Sequence, residues 1–338
     1  MKFNLLLYLW MSVAMCAAQN GVVLHRQAIH FTIPDETGRI DFVIADTVLR
    51  EKKPVFLWCQ GSLPVPLFCE IENYGYYFLG GGITNFNYQA IVKKYHLVVI
   101  SMPETPVEGP ASNLNTAYHY VPDRWQPNNY LPAYLQADYL ENYVQRAEKV
   151  GDFLKKQAWV DTSRMVVAGH SQGAKVATKI ALNNPTVTHL GLFGANPFGR
   201  ADQFIREARL DAQLGRISWA KADSIMNTHY QFFQIAHHPD SSQLNPTYRS
   251  WRTFSETFYD DWLQLNIPLY LAYGTEDRTA DLCDIIPLLF IEKGKSNLTL
   301  KRYPGLEHNF FEVNAQGKAD YEKAHWPEVM DAFLAWIR

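Results

Sequence analysis

The sequence predicts an α/β protein: a mostly parallel sheet with helices on both faces and a helical cap inserted late in the chain. Three observations predict it. Short, continuous apolar runs recur after about residue 50, each bounded by Gly or Pro and too short for a helix. Longer stretches of helical character separate them. One segment, 199–262, breaks this rhythm and carries amphipathic helical patterns without a buried strand.

Segments 25–33 and 39–45 alternate apolar and polar residues, which suits an antiparallel hairpin at the sheet edge. "PVFLWC" (54–59) is the first buried strand and ends at Gln60-Gly61. A helix over 87–94 leads to "HLVVIS" (96–101), and a long helix over 135–157 leads to "RMVVAG" (164–169). A helix over 172–182 precedes "HLGLFGA" (189–195). After the insertion come "PLYLAYG" (268–274), a helix over 282–292, "LTLKRYPG" (298–305) and a helix over 326–337. Strand–helix alternation of this kind builds a parallel sheet through right-handed crossovers. Within the insertion, "QFIREARLDAQL" and "SWAKADSIM" read as helices, and an aromatic-rich segment follows them. Ligands of open α/β sheets bind at the carboxyl ends of the strands, so the insertion reads as a cap over those ends. A structural side-bundle is the alternative.

A chain of 338 residues with 47% hydrophobic and 19% charged residues buries a sizeable core and is not disordered. Its net charge of -3, with no basic cluster, argues against nucleic acid or an anionic membrane surface as the main partner. The first residues carry Lys2, an apolar run over 3–14 and small residues at Cys16-Ala17-Ala18. This predicts a signal peptide over 1–18 and an exported, periplasmic or extracellular, protein. The run is too short to span a bilayer. Val13-Ala14-Met15-Cys16 resembles a bacterial lipobox with a large Met15, which makes a lipid anchor at Cys16 the minority reading. Export permits a disulfide, and Cys59 and Cys69 are close enough in sequence for one; buried free thiols are the equal alternative. No Cys/His spacing suits a zinc site.

The chemistry centres on Gly169-His170-Ser171-Gln172-Gly173. Gly-x-Ser-x-Gly alone is a modest signal. Here a buried strand precedes it and an alanine-rich helix follows, the setting of a serine on a sharp strand-to-helix turn. Serine needs a base, and His308 is the only histidine just past a terminal core strand. The imidazole needs a carboxylate. Asp277, three residues after Gly274 at a strand end, leads over Glu276 and Asp281.

These residues resemble the α/β-hydrolase fold over about 40–338, with the order Ser171, Asp277, His308 of that superfamily. "WVDTSRMVVAGHSQGA" is similar to the nucleophile region of dienelactone-hydrolase-like and prolyl-oligopeptidase-like members. The resemblance implies an oxyanion hole from the backbone N–H of Gln172 and that of Ser62 or Leu63. Many members have His-Gly where this chain has Gln60-Gly61. It implies no metal or organic cofactor and a small-molecule or peptide substrate. Only about 20 to 50 residues separate the leader from the core, too few for the screening propeller of prolyl oligopeptidases. The expected activity is therefore carboxylic-ester hydrolysis. A small serine peptidase or amidase is the alternative, and a non-catalytic binding protein the second. Trp125, Phe232, Phe233 and Trp251 are candidate substrate-binding residues, with Tyr118, Tyr120, Tyr130, Tyr134 and Phe258 as further aromatic candidates.

Overall fold

The computed structural model describes residues 21–36 and 38–338; the leader expected over 1–18 and Cys16 lie outside them. Fourteen strands occur among the described residues. They are β1 (Val22–Leu24), β2 (Ala28–Asp35), β3 (Gly38–Ile44), β4 (Lys53–Cys59), β5 (Phe68–Ile71), β6 (Gly75–Phe78), β7 (His96–Ile100) and β8 (Glu108–Gly109), then β9 (Val160–His170), β10 (Val187–Phe193), β11 (Leu269–Gly274), β12 (Leu298–Tyr303), β13 (Phe311–Val313) and β14 (Ala319–Ala324). The helices are α1 (Tyr88–Val92), α2 (Pro132–Ala137), α3 (Leu140–Leu154), α4 (Gln172–Asn183), α5 (Arg200–Gln213), α6 (Trp219–Ala236), α7 (Ser241–Leu244), α8 (Thr247–Phe254), α9 (Tyr259–Gln264), α10 (Ile286–Glu292) and α11 (Trp326–Trp336).

The main sheet runs β1-β2-β3-β7-β4-β9-β10-β11-β12. From β7 to β12 every pairing is parallel. The hairpin β2–β3 joins antiparallel to β7, with Phe31 opposite Phe42. All six apolar runs and the edge hairpin therefore form strands of one sheet. Alternation along each strand splits the core into two layers. Val55, Leu57, Met165, Val167, Leu269 and Leu271 face one layer with α3 and α4. Phe56, Trp58, Val166, Ala168, Tyr270 and Ala272 face the other with α1 and α11. Such two-sided burial is why these strands read as continuous apolar runs.

Two small sheets, β6-β5-β8 and β13-β14, have no counterpart in the sequence reading. β14 is a polar strand, "ADYEKA", largely exposed, so no apolar pattern announces it. The helix expected over 135–157 is broken at Asp138-Tyr139, where the backbone leaves the helical region. Asp138 accepts hydrogen bonds from Tyr143 Oη (2.8 Å) and Ser250 Oγ (2.8 Å). Those side-chain bonds hold the chain where a helix does not continue.

The insertion between β10 and β11 consists of α5–α9 and contains no strand. It is anchored on α4. Trp262 Nε1 donates to Thr178 Oγ1 (2.9 Å), Lys175 Nζ donates to the Phe254 carbonyl (2.7 Å) and Lys179 pairs with Asp261 (2.7 Å). Phe254, Phe258 and Trp262 join the core layer on the α4 side. Burying a phenylalanine contributes roughly 1.5–3 kcal/mol, so these side chains outweigh the exposed contacts in seating the insertion. Phe258 thus packs beneath Lys175, with its ring centre 4.9 Å from Nζ, and belongs to the core.

The Cys59–Cys69 bridge does not form. Cys59, Cys69 and Cys283 are all free and buried. Cys59 ends β4 in the main sheet, whereas Cys69 lies in β5 of the small sheet and directs its Sγ toward the Pro66 carbonyl (3.9 Å). Burial pushes both thiols up to about 12, so they remain protonated and unreactive.

Candidate active site

Ser171 stands between β9 and α4 with φ 56° and ψ -123°, a conformation that strains any residue with a side chain. The flanking glycines make the turn possible. A Cβ on Gly169 would lie 2.2 Å from the Gly173 carbonyl oxygen, and one on Gly173 would lie 2.1 Å from that of Cys59. Both distances are well inside contact range, so strand, turn and helix pack at this closeness only with glycine. The Ser171 N–H is fixed by the Phe193 carbonyl at the end of β10 (2.9 Å).

The carboxyl ends of β11 and β12 supply the two partners. Ser171 Oγ donates to His308 Nε2 (2.9 Å), and His308 Nδ1 donates to Asp277 Oδ2 (2.8 Å). The structure therefore brings Ser171, His308 and Asp277 into one hydrogen-bonded chain. Of the other two acids considered, Asp281 pairs with Arg206 instead, and Glu276 makes no bond to His308 among the described residues. Thr279 completes the acid's environment: its N–H (2.9 Å) and hydroxyl (2.8 Å) both donate to Asp277 Oδ1. Burial alone would raise Asp277, but the His308 charge and these bonds hold it below the usual carboxylate value. Burial alone would lower His308, but the adjacent Asp277 carboxylate holds it above the ordinary histidine value. The two directions agree with one buried, coupled pair.

His170 is a participant that pattern reading passed over as a variable position. Its Nε2–H donates to the His308 carbonyl (2.9 Å), and its ring packs edge-on against Trp326 (5.1 Å). Burial, with the nearby His308 charge, drives His170 down to about 3, so it stays neutral and acts as a fixed donor.

A cavity of about 530 Å³ opens at Ser171 and His308. Ser62 and Leu63 line it from the loop after β4, and Leu63 takes a positive φ of 79°. Gln60 braces this loop by donating from Nε2 to the Ile100 carbonyl at the end of β7 (2.7 Å). Of the aromatic candidates, Tyr130, Tyr134 and Trp251 line the cavity. Trp125, Phe232 and Phe233 do not. Trp125 is 82% exposed on the loop before α2, beneath Arg124. Phe232 sits behind the lining, packed on Trp251 (4.9 Å) and Tyr248 (5.3 Å). Phe233, one residue further round α6, packs on His237 and is partly exposed. Charged residues are the unanticipated part of the lining: Lys175, Arg200 and Asp138. A lysine amid the small residues of "QGAKVA" was a readable hint for Lys175; Arg200 has no local signal.

No protein-family model matches the sequence, and neither does any curated protein. Solved structures do match. An acylaminoacyl peptidase of Pyrococcus horikoshii is 14% identical with a TM-score of 0.52, over 95% of this chain and 43% of that one. A putative dipeptidyl aminopeptidase IV of Bacteroides ovatus is 15% identical with a TM-score of 0.51, over 92% of this chain and 36% of that one. The chain thus spans roughly two fifths of the length of these matched structures. At such identity the likeness is one of fold, and it agrees with the sheet order above.

The protein has the α/β-hydrolase fold.

Within the α/β-hydrolase fold, ligands sit where the strands' carboxyl ends meet, and here β9, β11 and β12 deliver Ser171, Asp277 and His308 to that edge. The arrangement can deprotonate a serine hydroxyl beside a helix N-terminus, where negative charge is favoured.

Proposed function

We propose that this protein is a serine hydrolase that cleaves a carboxylic ester through an acyl-enzyme on Ser171. The observation that carries this reading is the continuous bond chain Ser171 Oγ–His308–Asp277, whose first two members line the cavity. In this reading His308 Nε2 takes the Ser171 proton as Oγ attacks the acyl carbon, and Asp277 steadies the imidazolium. The backbone N–H groups of Gln172 and Ser62 receive the oxyanion. His308 then returns the proton to the leaving alcohol, and water releases the acyl group by the same route. The helical insertion acts as a cap over this reaction. Export through the leader over residues 1–18 belongs to the same proposal and rests on the sequence pattern alone.

Ester is the first reading because a cavity of about 530 Å³ beside Ser171 suits a small acyl substrate. A peptidase is the second reading, favoured by the names of the two matched structures. Turnover of p-nitrophenyl acyl esters against aminoacyl p-nitroanilides separates them. The ester reading expects the esters to be cleaved faster, and it fails if only the anilides turn over.

A further inference from the structure

We propose that Arg200 is a carboxylate-binding group of the cavity beside Ser171, and that the substrates suited to this site carry a carboxylate on the part seated against the helical insertion. This rests on the serine-hydrolase reading and deepens it.

Arg200 opens α5 and lines the same cavity as Ser171 and His308. Its side-chain hydrogen bonds among the described residues go to neutral partners, and the Asp138 charge acts on it without forming an ion pair. Its guanidinium donates from Nη2 to Gln172 Oε1 and from Nη1 to Ser250 Oγ (3.3 Å). A guanidinium has five N–H donors, so three remain for a ligand. Gln172 directly follows Ser171, which puts the cation one glutamine side chain from the nucleophile. The rings of Trp251 (5.6 Å) and Phe254 (5.0 Å) hold the guanidinium in place.

The charge around it is unbalanced. Lys175 is a second cation on the cavity wall, buried, with the Phe254 carbonyl as its hydrogen-bond acceptor (2.7 Å). Burial, and then the Arg200 charge, pull Lys175 down to about 7, against the smaller opposing charges of Asp202 and Glu256. Burial likewise lowers Arg200 from its ordinary value, with Asp138 opposing. Among the described residues Asp138 is the only carboxylate lining the cavity, and it already accepts from Tyr143, Ser250 and the Gln172 amide (3.4 Å). Arg200 thus keeps its charge beside a lysine that has lost about half of its own near neutral pH, and the acid that lines the cavity with them is already bonded. Uncompensated buried charge is costly, and an anion entering the cavity relieves it. The planar fork of free N–H groups matches a carboxylate, which accepts two parallel bonds. A volume of about 530 Å³ suits a small ester rather than a folded partner.

The test compares kcat/KM within two substrate pairs that differ only in carboxylate against carboxamide. Monomethyl adipate against its carboxamide places the group on the acyl side. 4-Acetoxybutanoate against 4-acetoxybutanamide places it on the alcohol side. The carboxylate is expected to be preferred at least tenfold in one pair or both. That ratio should fall at least tenfold in Arg200→Met and return in part in Arg200→Lys. A merely structural role for Arg200 would slow both members of a pair together and leave the ratio unmoved. Equal or better use of the carboxamide in both pairs, or a ratio that survives Arg200→Met, overturns the proposal. Fluorophosphonate labelling of Ser171 separates the two failures: labelling without carboxylate preference sinks the Arg200 role and leaves the hydrolase. If neither labelling nor turnover occurs, the hydrolase reading fails, and the melting temperature of the Ser171→Ala protein with millimolar monomethyl adipate decides the binding role. A rise that Arg200→Met abolishes supports it; no rise overturns it.

Discussion

The turn at Ser171 and the helical insertion line one cavity, yet they are built on different principles. The turn is held by backbone. Ser171 has a strained φ, and two glycines let the Gly173 and Cys59 carbonyls approach to distances that no Cβ permits. The insertion's contribution is held by side chains from distant parts of the sequence. Arg200, Ser250, Asp138 and Gln172 meet only after α5, α8, the break between α2 and α3, and α4 have packed together. The difference teaches which part of a site tolerates change: a backbone-built element breaks on adding one carbon, whereas a side-chain-built wall alters its preference first.

The largest effect expected on the backbone-built side, short of removing the nucleophile, comes from Asp277→Asn. Loss of the carboxylate should lower kcat on the order of 10⁴-fold, since the imidazole then lacks its charge partner and correct tautomer. The pH profile sharpens the same point. His308 must be neutral to accept the Ser171 proton, and Asp277 holds it above its ordinary value of 6.5. The acid limb of kcat/KM should therefore lie above pH 6.5, and in Asp277→Asn the residual activity should show it displaced downward. An acid limb at or below pH 6.5 in the wild type would contradict this electrostatic account.

Gly173→Ala should come next. Its Cβ would stand 2.1 Å from the Cys59 carbonyl, so strand and helix must separate. A loss on the order of 3 kcal/mol is expected, read as a fall in melting temperature together with loss of ester turnover. A variant as stable and active as the wild type would show that the turn is not backbone-limited.

The smallest effects separate true lining from apparent lining. Trp251→Ala should raise KM severalfold, because Trp251 lines the cavity and packs on Arg200. Trp125→Ala should leave KM and stability within error, because Trp125 is 82% exposed and outside the lining. Equal effects from the two would remove the distinction drawn between them.

The same contrast explains what could be read from sequence. The five central strands β4, β7, β9, β10 and β11 were legible because burial on both faces writes a continuous apolar run, as in "PVFLWC" and "PLYLAYG", whereas β12, at the sheet edge and only partly buried, was marked by its bounding Gly instead. Ser171, Asp277 and His308 were legible as positions because each follows such a run at a Gly-marked turn. The break at Asp138 was not legible, since the bonds that cause it come from Tyr143 and from Ser250, 112 residues away. Arg200 carried no periodicity or motif; only the packed structure shows that its hydrogen bonds among the described residues go to Gln172 and Ser250 rather than to an acid. Trp125 and Phe233 were aromatic residues in a plausible region, but composition does not report which way a side chain faces. The choice between a Cys59–Cys69 bridge and free thiols was not legible either, because proximity in sequence does not reveal that β4 and β5 belong to different sheets.

The central claim is that Ser171 is an activated nucleophile. Incubation of the protein with a fluorophosphonate, followed by intact-mass and peptide mass spectrometry, tests it most directly. The account predicts a single adduct on the peptide containing Ser171, absent in Ser171→Ala and strongly slowed in Asp277→Asn. No adduct on the wild-type protein, or an adduct that persists in Ser171→Ala, would contradict it.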